Sequence, residues 1–325
     1  LRQQAAEGLD AQLSSRRPDG GDYSKRLDAE LSTIKQLALA DYFLVVADFV
    51  RFAREKGVPV GPGSGSAGSS LTAYALGITR IDPLQHDLLF ERLVNPLSPE
   101  FPDMDLGFGM EMREKVQQYL RSKYGQDRVA QIVSLVTIQP RTAIRDLKKV
   151  LALSQEDLDG APGDREQAPG GEMERKTSGL PLEEKLSAAS QSKVLELAAA
   201  LEGLPRQVST HATGMVIGDG PLVHRVPLYR GPKDEWVSQY NVRALKRAGL
   251  VKFDFIARKA LTVIRKVLDL VGDESDLSVA LEALPLNDEA AFQLLCGGQV
   301  GGIPYLEGRR ARDLLLKWQP RQWQD

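Results

Sequence analysis

Cysteine and histidine are scarce in this chain, and net charge is almost absent. Of 325 residues, one is cysteine, Cys296, and three are histidine. A single thiol excludes an intrachain disulfide framework and fits a reducing compartment. Lys and Arg together number 42 against 44 Asp and Glu, a net charge of −2. Overall charge therefore gives no argument for a nucleic-acid partner, and any basic groove must be local. No apolar run reaches the roughly 18 residues that a membrane span needs, and no signal-peptide pattern opens the chain. The expectation is a cytoplasmic protein with no membrane partner. The first residue is Leu1 rather than Met, and the last follow an aromatic-rich Trp318–Trp323 stretch, so a piece of a longer polypeptide is expected.

What is present is a globular composition, 42% hydrophobic and 26% charged, long enough for two or more compact units. Its most informative stretch is Gly61–Phe108. It opens with a small-residue loop, Gly61-Pro-Gly-Ser-Gly-Ser-Ala-Gly-Ser-Ser70, and closes with Asp103 and Asp105. A Gly/Ser loop leaves backbone N–H groups uncovered and tolerates φ > 0, so it can close around a phosphate. Carboxylates at i and i+2 on a strand share a face. Two anions side by side call for a cation, and hard oxygen ligands favour Mg²⁺. A phosphate cradle followed by a metal-binding pair suits phosphoryl or nucleotidyl transfer. The bland alternatives are a flexible linker for the loop and a solvated strand face for the acids.

Elsewhere the periodicity predicts helices over residues 1–40, interrupted at Ser14–Asp22, then from an N-cap at Asp41 to about Lys56, with Phe43, Val46, Val50 and Ala53 inward. Val58–Val60 reads as a strand entry, and Ser69–Leu76 as a helix whose N-terminal dipole favours an anion. Further helices are expected over Glu111–Tyr124 (Met112, Val116, Tyr119 and Leu120 inward), Thr142–Leu151, Leu182–Leu201 and from Arg258 on, with a smaller helical region from Pro285 to Asp325. The Arg141, Arg145, Lys148 and Lys149 face of the second could track a phosphate backbone or be plainly solvated. Strands are expected at Asp103–Phe108, Val129–Val136 and Val237–Tyr240, with Arg206–Ile217 a loop feeding an apolar strand. Ser154–Ser178, rich in Gly, Pro and acids, reads as a loop or disordered insert. His211 lies in the Arg206–Ile217 stretch, as a structural group or a contact to a phosphate or primer terminus. Leu250–Ile256 is an apolar strand with Lys252 and Asp254 on one face. Buried charges need partners: either the two form an internal ion pair, or Asp254 joins Asp103 and Asp105 as a third carboxylate while Lys252 faces a phosphate. Three acids exceed the charge of one metal, so two cations are the natural complement.

Several segments together resemble the alpha subunit of bacterial DNA polymerase III, the C-family replicative polymerases. They are Asp41-Tyr-Phe-Leu-Val-Val-Ala-Asp-Phe49, the Gly/Ser loop, Tyr74–Pro83, Leu88-Leu-Phe-Glu-Arg92 with Asn95-Pro96, and Phe101-Pro-Asp-Met-Asp105. Leu201–Arg206, Ser209-Thr-His-Ala212 and Val251-Lys-Phe-Asp-Phe255 follow in the same order. The resemblance covers most of the chain and only the middle of a family member. It implies an α+β fold, a polymerase-beta-like nucleotidyltransferase palm of mixed sheet backed by helices, over 1–134 and 209–258. It implies a helical thumb over 135–208 and the start of helical fingers over 259–325. It implies that Asp103, Asp105 and Asp254 are the catalytic carboxylates, holding two Mg²⁺ ions. Gly65, Ser66, Arg92, Lys252, His211 and Lys259 would meet nucleotide or phosphate. The implied activity is DNA-directed DNA synthesis from deoxynucleoside triphosphates on primer–template DNA, with a sliding clamp and other replisome subunits as partners of the full-length protein.

The chain departs from the family pattern at Ser64, where an Arg is usual, and at Gly107, where a third Asp is common. It also departs at Phe255-Ile-Ala-Arg-Lys259 and at Gly302-Ile-Pro-Tyr-Leu-Glu307. A degenerate, weakly or non-catalytic paralogue serving as a DNA-binding or assembly module is the rival reading. A nucleotidyltransferase with another substrate is a third.

Overall fold

The computed structural model describes residues 1–14, 22–97, 101–110, 113–150, 188–272 and 284–325. The expected insert at Ser154–Ser178, Met112, and residues 182–187 of the expected Leu182–Leu201 helix lie outside the described residues. Two compact units divide the chain, one of Leu1–Ile132 with His211–Asp325 and one of Val133–Thr210.

The larger unit begins with helices α1 (Arg2–Ser14), α2 (Tyr23–Gln36) and α3 (Ala40–Glu55). Asp22 caps α2 by accepting from the Lys25 N–H at 2.9 Å. Leu39, not Asp41, stands at the start of α3, and Asp41 falls in the first turn, where a carboxylate still complements the helix dipole. The Gly/Ser loop is no flexible linker. It winds into a 3₁₀ turn over Gly65–Ser69 and then the single-turn α4 (Leu71–Ala75), with the Ser70 hydroxyl capping Ala73. The expected Ser69–Leu76 helix is thus split at Ser70.

A six-stranded sheet follows, in the order β1-β6-β3-β2-β5-β4. Its strands are β1 (Leu106–Phe108), β2 (Val129–Thr137), β3 (Pro205–Ile217), β4 (Leu228–Arg230), β5 (Trp236–Ser238) and β6 (Val251–Ala257). β1 runs parallel to β6 and β3 antiparallel to it, so the sheet is mixed and the architecture α+β. Arg206–Ile217 is strand throughout, not a loop before a strand, because β3 lies between two strands, paired with β6 over Gly214–Ile217 and flanked by β2 on its other edge. Only the last three residues of the Asp103–Phe108 stretch pair as a strand. The burial nevertheless alternates from Phe101 to Leu106, with Met104 and Leu106 in and Asp103 and Asp105 out, as the sequence period predicts.

One face of the sheet is apolar. Phe253 and Phe255 of β6, Leu106 and Phe108 of β1 and Met215 of β3 pack under α3 and under α5 (Arg113–Tyr124). The Phe49 ring lies 4.8 Å from Phe255, and Tyr42 stacks on Phe253 at 5.3 Å. Val116 and Leu120 of α5 point inward as expected. A second apolar cluster, with Ile132, Val216, Leu222 and Val226, lies farther along the chain's strands and includes Leu245 of α8 (Val242–Arg247). The last helices are α9 (Lys259–Val271), α10 (Glu289–Cys296) and α11 (Arg309–Trp318). The Val133–Thr210 unit contains α6 (Pro140–Val150) and α7 (Ala188–Leu201), and within it Arg206 pairs with Asp146 at 3.1 Å. Among the described residues no helix is long and apolar enough to cross a membrane.

Candidate active site

Alternation along β6 sends Phe253 and Phe255 into the core and leaves Lys252 and Asp254 on the opposite face. In the parallel register Leu106 faces Phe255, which sets Asp105 beside Asp254. Ligand oxygens of Asp103, Asp105 and Asp254 all lie within 4.8 Å of one another. Two segments about 150 residues apart therefore converge on one carboxylate cluster.

The Lys252 ammonium lies among these acids. It pairs with Asp254 and stands 3.2 Å from Asp103 Oδ2. The structure combines the ion pair of one reading with the carboxylate cluster of the other: Lys252 pairs with Asp254, and Asp254 stands beside Asp103 and Asp105. Lys252 faces the acids rather than open solvent, its side chain 17% exposed. Asp254 is buried, and the Thr213 hydroxyl donates to its Oδ1 at 2.7 Å. Burial alone would raise the Asp254 carboxyl, but the hydrogen bonds from Lys252 and Thr213 outweigh it and hold it below the usual carboxylate range. Asp103 moves the other way: burial raises it, and the like charge of Asp254 adds to that against the opposing pull of Lys252. For Lys252, burial opposes the charge, yet Asp254 and Asp103 raise it above its ordinary value.

The Gly/Ser loop lies against the same acids. Ser64 Oγ donates to the Asp105 carbonyl at 2.8 Å and Ser66 Oγ to the Asp103 carbonyl at 3.3 Å. Gly65, at φ 57°, adopts the left-handed conformation, and a Cβ there would come within 4.0 Å of Asp105 Oδ2. The hydroxyl at Ser64 thus clasps the acidic segment from the position where the family usually has an arginine. The Gly107 departure also has a steric counterpart: a Cβ there would meet Arg258 Cγ at 2.9 Å, so Arg258 fills that space.

His211 accepts through Nδ1 from the Gly214 N–H at 2.8 Å and the Thr213 N–H at 3.3 Å. These bonds brace β3 where Thr213 meets Asp254, and they put the proton of a neutral ring on Nε2. Arg92, in the 3₁₀ turn Phe90–Arg92, and Lys259, at the start of α9, are exposed. Among the described residues neither makes an ion pair with the three carboxylates.

Sequence reasoning missed Thr213, Tyr42 and Glu30. The Tyr42 hydroxyl accepts from the Met104 N–H at 3.1 Å, fixing the residue between the two aspartates. Burial pushes its own ionisation far above the ordinary tyrosine value. Glu30 is buried and accepts from the N–H groups of Leu71 and Thr72 at 2.9 and 2.8 Å. The anion expected at the start of α4 is therefore supplied by the chain itself. The signal was available: Glu30 sits among Leu27, Leu31 and Ile34 on the buried stripe of α2, where a charge must have partners.

The donor set fits a hard divalent ion: three carboxylates, one buried, converge around a point already claimed by a cationic ammonium. The sequence profile described as "Bacterial DNA polymerase III alpha NTPase domain" matches residues 1–257, and that of the "Bacterial DNA polymerase III alpha subunit finger domain" matches 260–325. Among similar proteins, the DNA polymerase III subunit alpha of Caulobacter vibrioides is 40% identical over 330 residues, covering 98% of this chain and 28% of that protein. The Bacillus subtilis subunit is 37% identical over 305 residues, covering 93% and 27%. That of Escherichia coli K12 is 36% identical over 341 residues, covering 100% and 29%. The chain thus spans less than a third of the length of these relatives. With the carboxylate cluster and its Gly/Ser loop carried inside a match that runs from the first residue to the last, the chain belongs to the bacterial DNA polymerase III alpha family.

Proposed function

We propose that this chain carries the nucleotidyl-transfer centre of a DNA-directed DNA polymerase that extends a primer 3′ end during replication. The observation that carries the reading is the convergence of Asp103, Asp105 and Asp254 within 4.8 Å, beside a Gly/Ser loop that touches the same segment. In this reading the β1-β6-β3 region is a polymerase-beta-like palm, Val133–Thr210 the thumb and the helices from Lys259 the start of the fingers. Its setting is the cytoplasm, and a sliding clamp and other replisome subunits are partners of the whole protein.

Asp103, Asp105 and Asp254 would hold two Mg²⁺ ions, which when bound supply Lewis-acid charge at the primer hydroxyl and the triphosphate. Thr213 and Lys252 keep Asp254 ionised and aimed into the site. Lacking a side chain, Gly65 leaves the approach to Asp105 open, so its backbone and that of Ser66 can meet a triphosphate. Once freed from Asp103, Lys252 is within reach of the same phosphates, and exposed Arg92 and Lys259 add positive charge to stabilise the transferring group. His211, with its proton on Nε2, is a donor for a phosphate or the primer terminus. Specificity then comes from base pairing with the template.

The test is single-nucleotide extension of a labelled primer–template with Mg²⁺ and the matched deoxynucleotide, beside an Asp103→Ala, Asp254→Ala double variant. Extension by the parent and none by the variant is expected. A parent chain that binds primer–template but does not extend it would favour the degenerate module. One that does not bind primer–template at low salt would point to another substrate.

A further inference from the structure

The Gly/Ser loop is held from behind by a buried glutamate and its half-buried arginine partner on α2, which the nucleotide site does not itself contain. Glu30 Oε1 accepts from the Leu71 N–H and from Arg26 Nε, at 2.9 and 2.8 Å. Its Oε2 accepts from the Thr72 N–H and the Ser70 hydroxyl, at 2.8 and 2.9 Å. The carboxylate is 1% exposed and uses both oxygens twice. Arg26 Nη2 donates onward to the carbonyls of Ser69 and Leu88, at 3.1 and 3.0 Å. That clips the end of the loop to the segment leading into the Arg92 turn.

From Ser69 the polar contacts run on towards the acids. Ser69 Oγ donates to the Ser66 carbonyl at 2.6 Å, and Ser66 Oγ to the Asp103 carbonyl at 3.3 Å. An unbroken set of hydrogen bonds therefore links a buried carboxylate on α2 to the backbone of the catalytic segment. Charge-assisted bonds in a dry site are the strongest available to such a loop.

We infer that Glu30 and Arg26 are positioning residues for the incoming nucleotide: they close the α4 end of the Gly/Ser loop to any external phosphate and fix its Gly65–Ser66 end against Asp103 and Asp105. The inference rests on the polymerase reading and adds to it the residues that hold the nucleotide-binding loop in place. The Leu71 and Thr72 N–H groups are occupied by Glu30, which leaves the Gly65–Ser66 end of the loop to meet the triphosphate. In Glu30→Gln, an amide N–H₂ replaces one acceptor and faces donors, so the loop loses its anchor while the three aspartates remain.

The test measures two equilibria on a chain-terminated primer–template: binding of the DNA, and binding of the matched deoxynucleoside triphosphate to that complex. Parent, Glu30→Gln and Val226→Ala are compared below the thermal midpoint of all three. Val226 lies in the separate apolar cluster with Leu222 and Leu245, so its truncation lowers stability without touching the loop. Glu30→Gln is expected to weaken nucleotide binding roughly 10-fold and to leave DNA binding unchanged, whereas Val226→Ala changes neither. Equal nucleotide affinity in Glu30→Gln and Val226→Ala would overturn the inference. Where Glu30→Gln does not fold, Arg26→Lys serves: it keeps the counter-charge but loses the fork to Ser69 and Leu88. An unchanged nucleotide affinity there would overturn the inference in the same way. A parent chain that binds DNA and nucleotide in neither measurement overturns the polymerase reading itself, and this inference with it.

Discussion

Replacing Lys252 by methionine removes the one cation among the described residues that pairs with these carboxylates, and keeps a side chain of similar length. The carboxylate oxygens lie within 4.8 Å of one another. Two unit charges at that distance repel by about 3 kcal/mol at an effective dielectric constant of about 20. Stripping the partner from a buried ion pair costs about 3–5 kcal/mol. Asp254, 3% exposed, meets that condition, but Asp103 is 55% exposed and water screens its share. The expected loss is therefore about 2–3 kcal/mol, a fall of roughly 5 °C in the thermal midpoint measured in chelator. Divalent ions should then act unequally. An ion at a hundred times its dissociation constant adds about 2.7 kcal/mol. In the parent part of that is offset, because the ammonium must first leave Asp103. Lys252→Met should consequently show the lower midpoint in chelator and the larger rise on adding Mg²⁺, read by differential scanning fluorimetry. Equal midpoints in chelator, or equal rises with Mg²⁺, would refute the view that the ammonium occupies the metal's place.

Asp48 is buried on α3 and accepts from the Tyr119 and Tyr124 hydroxyls at 2.9 and 3.0 Å and from Lys123. Burial opposes its charge, but those hydrogen bonds outweigh it and lower its carboxyl. A folded value below the unfolded one means stability that is complete above about pH 4 and drains away as acid protonates the folded form. Asp48→Asn should lose about 2 kcal/mol at neutral pH and show a flatter acid limb in chemical denaturation; parallel limbs would contradict the assignment. Gly8 of α1 lies so close to α4 that a Cβ would fall 2.0 Å from the Ala75 carbonyl oxygen. Gly8→Ala should therefore destabilise by about 1–3 kcal/mol or more despite its better helix propensity, and a denaturation midpoint unchanged from the parent would show that α1 can move aside freely.

Much of the local structure was legible from residue order. The inward residues Phe43, Val46, Val50 and Ala53 follow the helical period of α3, and Phe253 and Phe255 follow the strand period of β6. Element ends were less legible. Leu39 rather than Asp41 opens α3, and Arg206–Ile217 is one long strand. A strand's extent depends on which neighbours supply its hydrogen bonds, and β3 has two, β2 before it in the chain and β6 some 40 residues farther on.

The sequence alone determined the ingredients of the site: a loop without bulky side chains, acids in alternation with buried residues, and a Lys and an Asp on one face of an apolar strand. Each follows from local sterics or a short-range period, which act within a few residues. The tertiary structure decided how they combine. The β1-β6 register set Asp105 beside Asp254, and the crowding of three like charges drew the Lys252 ammonium among them. Burial of Glu30 forced it to find donors, and those it found, at Ser70, Leu71 and Thr72, turned the expected anion site at α4 into an internal anchor. Electrostatic and hydrogen-bond demands of buried groups are met across space, so no reading along the chain could assign the partners.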